Sequence, residues 1–176
     1  MEEPVTDRSG ENPPDFKALF DAHYAWVAAM AGRLSGRSGD VEDIVQDVFF
    51  LCARKLDTIP TMAHAKPWLR TVTVRVVQKR LRRRKWQSWF LSSDDEIPNL
   101  PYRGIAPDER VMLQGLYDAL DELPVDERLA WMMRHVEGFA LDDVAQSCNC
   151  SLATAKRRIA KASLALQKGE HLALQD

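Results

Sequence analysis

The chain has 176 residues, 45% of them hydrophobic, enough for one mid-sized or two small packed domains and too apolar for wholesale disorder. Its net charge of −2 averages unequal segments: residues 66–93 carry 9 basic groups and no acidic one, and residues 151–176 carry 5 against 2. Residues 1–65 hold 6 basic and 11 acidic groups, and residues 94–150 hold 4 and 13. Two basic patches in an otherwise acidic chain point to two contacts with a polyanion and an acidic body kept off it, although either run alone reads slightly better as a solvated helix face.

No apolar stretch approaches the roughly 20 residues that cross a bilayer, and the acidic start MEEPVTDRSGENPPD lacks the features of a secretory signal, so a cytoplasmic protein without membrane insertion is expected. Cys52, Cys148 and Cys150 are odd in number and read as free thiols in a reducing compartment.

In chain order, residues 1–14 read as a disordered tail. From Asp15 to Leu34 the apolar residues Phe16, Leu19, Phe20, Val27, Met30 and Leu34 recur at helical spacing, and Gly36 and Gly39 end the run. Asp40 is placed to cap a second helix with Val41, Ile44, Val45, Val48, Phe49, Cys52 and Leu56 inside. That stripe leaves Glu42, Asp43, Gln46, Asp47 and Phe50 outside, an acidic face with one apolar residue, suited to a basic protein surface or merely solvated with Phe50 tucked into the core.

A loop over Asp57–Lys66 follows, where His64 is a candidate for stacking on an exposed base. Pro67 suits the first turn of a third helix, with Trp68, Leu69, Val72, Val76 and Leu81 buried. Lys66, Arg70, Arg75, Lys79, Arg80, Arg82, Arg83, Arg84 and Lys85 lie on or just beyond it, a supply of phosphate contacts that give affinity without sequence information. The segment 87–107, with Pro98, Pro101 and Pro107, reads as a linker, and Trp86, Trp89, Phe90 and Leu91 at its start are too apolar for a free tether.

The second half is helical again. A helix over Asp108–Leu123 offers Val111, Leu116, Leu120 and Leu123; Pro124 opens another running to Val136, with Gly138 as its C-cap. A short helix over Leu141–Ser147 leads through Cys148-Asn149-Cys150 into a last helix starting at Ser151, its N-cap. Leu152, Ala155, Ile159, Ala162 and Leu166 form an apolar seam on that helix, with Thr154, Arg157, Lys161 and Lys168 opposite and Lys156 and Arg158 on the flanks. Short helix, tight turn and longer basic helix make a helix-turn-helix whose second helix can enter a major groove. No catalytic constellation and no complete metal-ligand set stand out: Cys148 and Cys150 supply half a tetrahedral site, with His135 and His171 poor partners. Neither enzyme nor cofactor is expected. The fold reads as all-α, with two small helical domains joined by a flexible linker, the C-terminal one a helix-turn-helix.

The stretches DVEDIVQDVFFLCARKLDTI and PWLRTVTVRVVQKRLRRRKW resemble the second conserved region of sigma-70-family factors of the extracytoplasmic-function (ECF) group. DALDELPVDERLAWMMRHVEGFALDDVAQSCNCSLATAKRRIAKA resembles their fourth region. The resemblance implies a region 2 domain over residues 15–86, a linker over 87–107 and a region 4 domain over 108–176. It implies that Asp43, Gln46, Asp47 and Phe50 dock bacterial core RNA polymerase. Thr61, His64, Lys66, Arg70, Arg75, Lys79, Arg82 and Arg83 would bind the downstream, minus-ten element, and Ser151, Thr154, Lys156, Arg157, Arg158 and Lys161 the upstream, minus-thirty-five element. The linker acids Asp94, Asp95 and Glu96 would thread towards the polymerase cleft, or serve only as solubilising linker. An anti-sigma protein is an expected partner besides polymerase and promoter DNA. Arg75 stands where the family commonly has asparagine, Ala65 and Lys66 where it has aromatic residues, and Ala140 where a serine or threonine usually caps the short helix. A conventional helix-turn-helix operator-binding regulator is the alternative, and a nucleic-acid enzyme a more distant one.

Overall fold

The structure is a computed structural model that describes residues 14–36, 41–90 and 107–173. The described residues form α-helices joined by turns, and none is long and apolar enough to cross a membrane. The expected cap Asp40, the N-terminal tail and the acids Asp94, Asp95 and Glu96 lie outside the described residues.

Helix α1 (Phe16–Ser35) starts at Asp15, whose carboxylate accepts the Ala18 N–H at 3.1 Å and satisfies one orphan donor of the first turn. It ends at Gly36 with φ 64°, a conformation open to glycine and strained for other residues. Helix α2 (Val41–Arg54) and a short 3₁₀ turn (Leu56–Thr58) follow. Helix α3 (Met62–Phe90) is the long element of the chain. These three helices bury Leu19, Met30, Leu34, Ile44, Val48, Ile59 and Leu69 completely.

Helix α3 departs from expectation in three ways. It begins at Met62, so half the anticipated Asp57–Lys66 loop is helical and Pro67 lies inside the helix. It runs on through Trp86 to Phe90, into the segment read as linker. Its buried residues are Ala65, Leu69, Arg70, Thr73, Val74, Val77 and Leu81, whereas Trp68, Val72 and Val76 are half-buried. The reason is that α3 is covered on two sides, by α1 and α2 on one and by helices of the second half on the other. Thr73 tolerates full burial because its hydroxyl donates to Leu69 O at 2.8 Å.

The second half comprises α4 (Pro107–Glu122), α5 (Val125–His135), α6 (Leu141–Ser147) and α7 (Leu152–Ala173). Pro124 is the N-cap residue of α5, and Gly138 adopts φ 72° just beyond its end. Leu120, Leu129, Met132, Met133, Val144, Ala155 and Ala162 are fully buried. Val111, expected in this core, is 71% exposed beside Met112 at 79%; among the described residues the α4 side is buried at Tyr117 and Leu120, with Leu123 just beyond. Leu152 likewise stands largely outside the α7 seam. Asn149, at φ 49°, makes the turn between α6 and α7.

Candidate nucleic-acid and protein interfaces

The last helix is built as its sequence suggests. The Ser151 hydroxyl accepts the Thr154 N–H at 3.2 Å and donates to the Thr154 hydroxyl at 2.9 Å, fixing the start of α7. Lys156, Arg157 and Lys161 are exposed, and Lys161 lies 3.9 Å from a Glu127 carboxylate oxygen. Arg158, expected on the flank of this helix as an upstream-element contact, is only half-exposed. It turns inward, donates to Asp126 Oδ2 at 2.8 Å, and leaves its Nη1 buried with no hydrogen-bond partner among the described residues. The α6 end behind this helix lacks a side-chain cap: Ala140 occupies the cap position and makes no such hydrogen bond.

On α3, Arg75, Lys79 and Arg83 are exposed and, with Asp47, Phe50 and Trp68, line a groove of about 1100 Å³ between α2 and α3. Thr61 and His64 share a 2.9 Å hydrogen bond at the helix start, which ties His64 Nδ1 to its neighbour. Lys66 is exposed, its ammonium 5.2 Å from the Trp26 ring centre. Burial, and then the nearby Lys66 charge, push His23 below the ordinary histidine range.

Two more of the expected downstream contacts are otherwise engaged. Arg70 is buried: it donates to Asp143 at 2.6 Å and to the Ser147 hydroxyl at 3.2 Å, and its guanidinium lies 5.0 Å from the Phe139 ring centre. Arg82 donates to Asp126 Oδ1 at 2.6 Å, beside Gln78 on the same oxygen at 2.8 Å. Burial works to raise the Asp126 carboxyl, but the hydrogen bonds from Arg82 and Gln78 and the charges of Arg158 and Arg82 outweigh it and hold it below the ordinary carboxylate value.

The outer face of α2 carries Asp43, Gln46, Asp47 and Phe50, all exposed, Phe50 at 62% with Arg54 5.7 Å from its ring centre. Arg80 from α3 reaches across to Asp47 at 2.7 Å and Asp43 at 3.6 Å, so the acidic face is partly neutralised by the chain's own basic helix.

No sequence pattern marks the seam between the halves. Arg33, at the end of α1, makes a two-pronged contact with Glu137 at 2.6 and 2.9 Å, and Tyr117 donates to Arg33 O at 3.2 Å. Lys85 donates to Leu123 O at 3.0 Å, at the C-terminal end of α4. Arg128, 3% exposed, pairs with Asp121 and donates to Leu34 O at 3.4 Å and Ser35 O at 3.3 Å, meeting carbonyls left over where α1 ends. Arg128 with Asp121 apart, these partners lie far apart in the chain, and no local pattern marks them.

The family described as Sigma-70 region 2 matches residues 19–87, and that described as Sigma-70, region 4 matches residues 113–166. Among curated relatives, the ferric citrate uptake sigma factor FecI of Escherichia coli is 27% identical over 152 residues, covering 84% of this chain and 86% of that protein. The ECF RNA polymerase sigma-E factor of Haemophilus influenzae is 26% identical over 157 residues, covering 84% of this chain and 82% of that protein. Among solved structures, the sigma factor RpoE of Bartonella quintana, in complex with the anti-sigma factor NepR, superposes with a TM-score of 0.69 at 26% identity, covering 89% of this chain and 97% of that one. CnrH, in complex with the cytosolic domain of CnrY, shares the fold with a TM-score of 0.58 at 19% identity, covering 87% of this chain and 85% of that one. With both regions matched in order and two helical domains folded as in these proteins, the chain belongs to the extracytoplasmic-function group of the sigma-70 family of RNA polymerase sigma factors.

Proposed function

We propose that this chain directs promoter-specific transcription initiation by core RNA polymerase, with its two domains reading separate promoter elements. The observation that carries the reading is the pairing of two cationic helices in separate domains, α3 and α7, with an anionic, Phe50-bearing face on α2. In this reading Asp43, Gln46, Asp47 and Phe50 dock the polymerase. Arg75, Lys79 and Arg83, with Thr61, His64 and Lys66 at the head of α3, engage the downstream element; Arg70 and Arg82 join them only when freed from Asp143 and Asp126. Lys156, Arg157 and Lys161 enter the upstream element behind the Ser151–Thr154 cap, with Arg158 as a supporting residue through Asp126.

The chain performs no bond chemistry; the polymerase makes the phosphodiester bonds, in the cytoplasm. An anti-sigma protein holds the factor between signals, as the anti-sigma factor NepR is found on one structural relative. The 15–86, 87–107 and 108–176 division assigns polymerase and downstream binding to the first part and upstream binding to the last. Co-purification with core polymerase tests the reading. A stoichiometric complex supports it, whereas operator binding by a dimer that ignores polymerase would favour a conventional helix-turn-helix regulator.

A further inference from the structure

Cys148 is the C-cap residue of α6 and Cys150 lies just before α7, with Asn149 at φ 49° between them. The backbone closes this turn: the Cys148 N–H donates to Val144 O and the Cys150 N–H to Ala145 O, each at 2.9 Å. Cys148 is buried, and Cys150 is half-buried and packs against the same core. Beside them the Met133 thioether of α5 is fully buried, its Sδ 4.0 Å from Cys148 Sγ. Burial, and then the neighbouring Cys150 thiol, push Cys148 up, and the charge of Arg158 acts against them. Arg158 keeps its Nη1 buried without a hydrogen-bond partner among the described residues. Neither DNA binding nor polymerase docking uses these sulfur atoms.

We propose that Met133, Cys148 and Cys150 form a three-sulfur site for copper(I). A methionine beside a cysteine is ordinary core packing, and the second thiol on the same turn is what makes a ligand set. The spacing fits the ion. Two sulfurs held about 2.3 Å from one metal at a trigonal angle stand about 4.0 Å apart, and the separation of Met133 Sδ from Cys148 Sγ is 4.0 Å. The donors select copper(I), because thiolate and thioether sulfur suit it, whereas structural zinc closes a tetrahedral set. Among the described residues no cluster of three or more histidine, cysteine, aspartate or glutamate side chains supplies such a set. Copper(I) displaces the proton of each thiol. Two S–H bonds break, two thiolate–copper bonds and one thioether–copper bond form, two protons go to water, and the copper keeps its oxidation state. The single negative charge that results lies in the field of Arg158. The ion ties α5 to the turn between α6 and α7, and the site does not depend on the sigma-factor reading.

The test loads the full, reduced chain with the acetonitrile salt of copper(I) under argon, in competition with the coloured chelator bathocuproine disulfonate. The site predicts that the chain retains a single copper equivalent and that loading blocks alkylation of Cys150. X-ray absorption should find three sulfur neighbours at about 2.3 Å and no nitrogen. Cys150→Ser, at a half-buried position, should abolish retention. Met133→Leu, a volume-conserving core change, should weaken retention by at least about tenfold and leave two sulfur neighbours. Cys52→Ala, in the core of the first three helices, should retain copper as the wild type does. Circular dichroism before loading shows whether each variant is folded. Copper lost entirely from the wild type to the chelator, a nitrogen neighbour, or an equal loss in the Cys52 variant would each overturn the site. Retention unchanged by Cys150→Ser or by Met133→Leu would do the same. Should a variant fail to fold, the sulfur count and the protection of Cys150 in the wild type decide alone.

Discussion

Nη2 of Arg128 sits 2.6 Å from the point where a Cβ on Gly36 would stand, with the Tyr117 ring 3.0 Å from the same point. The last turn of α1 and the buried guanidinium of α5 thus meet over a residue with no side chain. At φ 64° that residue also holds a conformation that L side chains rarely adopt. Gly36→Ala is expected to destabilise the chain by about 1–3 kcal/mol, from backbone strain and displacement of Arg128. Urea unfolding followed by circular dichroism checks this, and a midpoint equal to wild type contradicts it.

Arg128 itself is the cap of α1 supplied from a distance. Burial pulls its guanidinium below the ordinary arginine value while Asp121 acts against that shift, and it stays charged. Arg128→Ala should cost roughly 1–3 kcal/mol by leaving the Leu34 and Ser35 carbonyls unpaired. Arg128→Lys should recover little, because an ammonium cannot fork between carbonyls and a carboxylate. The same unfolding measurement ranks the pair, and full rescue by lysine would contradict the geometry.

Such features explain what the sequence could and could not convey. The outward set on α2 was readable because the helix has one buried face, so its 3.6-residue period is clean from Ile44 to Cys52. The α6–α7 unit was readable for the same reason, helped by Ser151. The period of helix α3 is obscured because the helix is covered twice: the second covering buries Arg70 and Thr73, polar residues that a one-sided pattern assigns to solvent. Val111 is the opposite case, an apolar residue at helical spacing that stays 71% exposed. The acidic and basic blocks are visible in the sequence, but their pairing with each other, as in Arg82 with Asp126, depends on tertiary contacts that no local window contains.

The two basic helices should be separable by mutation. Arg157→Ala with Lys161→Ala should weaken binding to the upstream element at least tenfold while leaving association with core polymerase unchanged, because both residues are exposed on α7 and remote in sequence from α2. Anisotropy on an upstream-element duplex and co-purification with polymerase read the two effects. Equal loss of both would refute the division of labour.

Asp47→Arg should impair polymerase binding before it affects folding. The position is exposed and its pair with Arg80 is a surface contact, so the stability change should stay within about 1 kcal/mol. A thermal melt and a polymerase pull-down distinguish the outcomes, and a molten product would contradict the outward placement.

The thiols should differ sharply in reactivity. Burial pushes Cys52 up to about 11 and Cys148 up to about 12, so at pH 8 the thiolate fraction of each is on the order of one in a thousand or less. Cys150 is only half-buried. Brief treatment of the folded chain with a maleimide, read by mass spectrometry, should label Cys150 first and the other two only on unfolding. Labelling of Cys148 at a comparable rate would show that the turn between α6 and α7 opens readily.

Run-off transcription with core polymerase on a promoter library, with and without this chain, bears on all these roles at once. Transcripts with defined starts that appear only when the chain is added, and that disappear with Asp47→Arg, are the predicted result. Transcription that never depends on the chain, with any bacterial core enzyme, would contradict it.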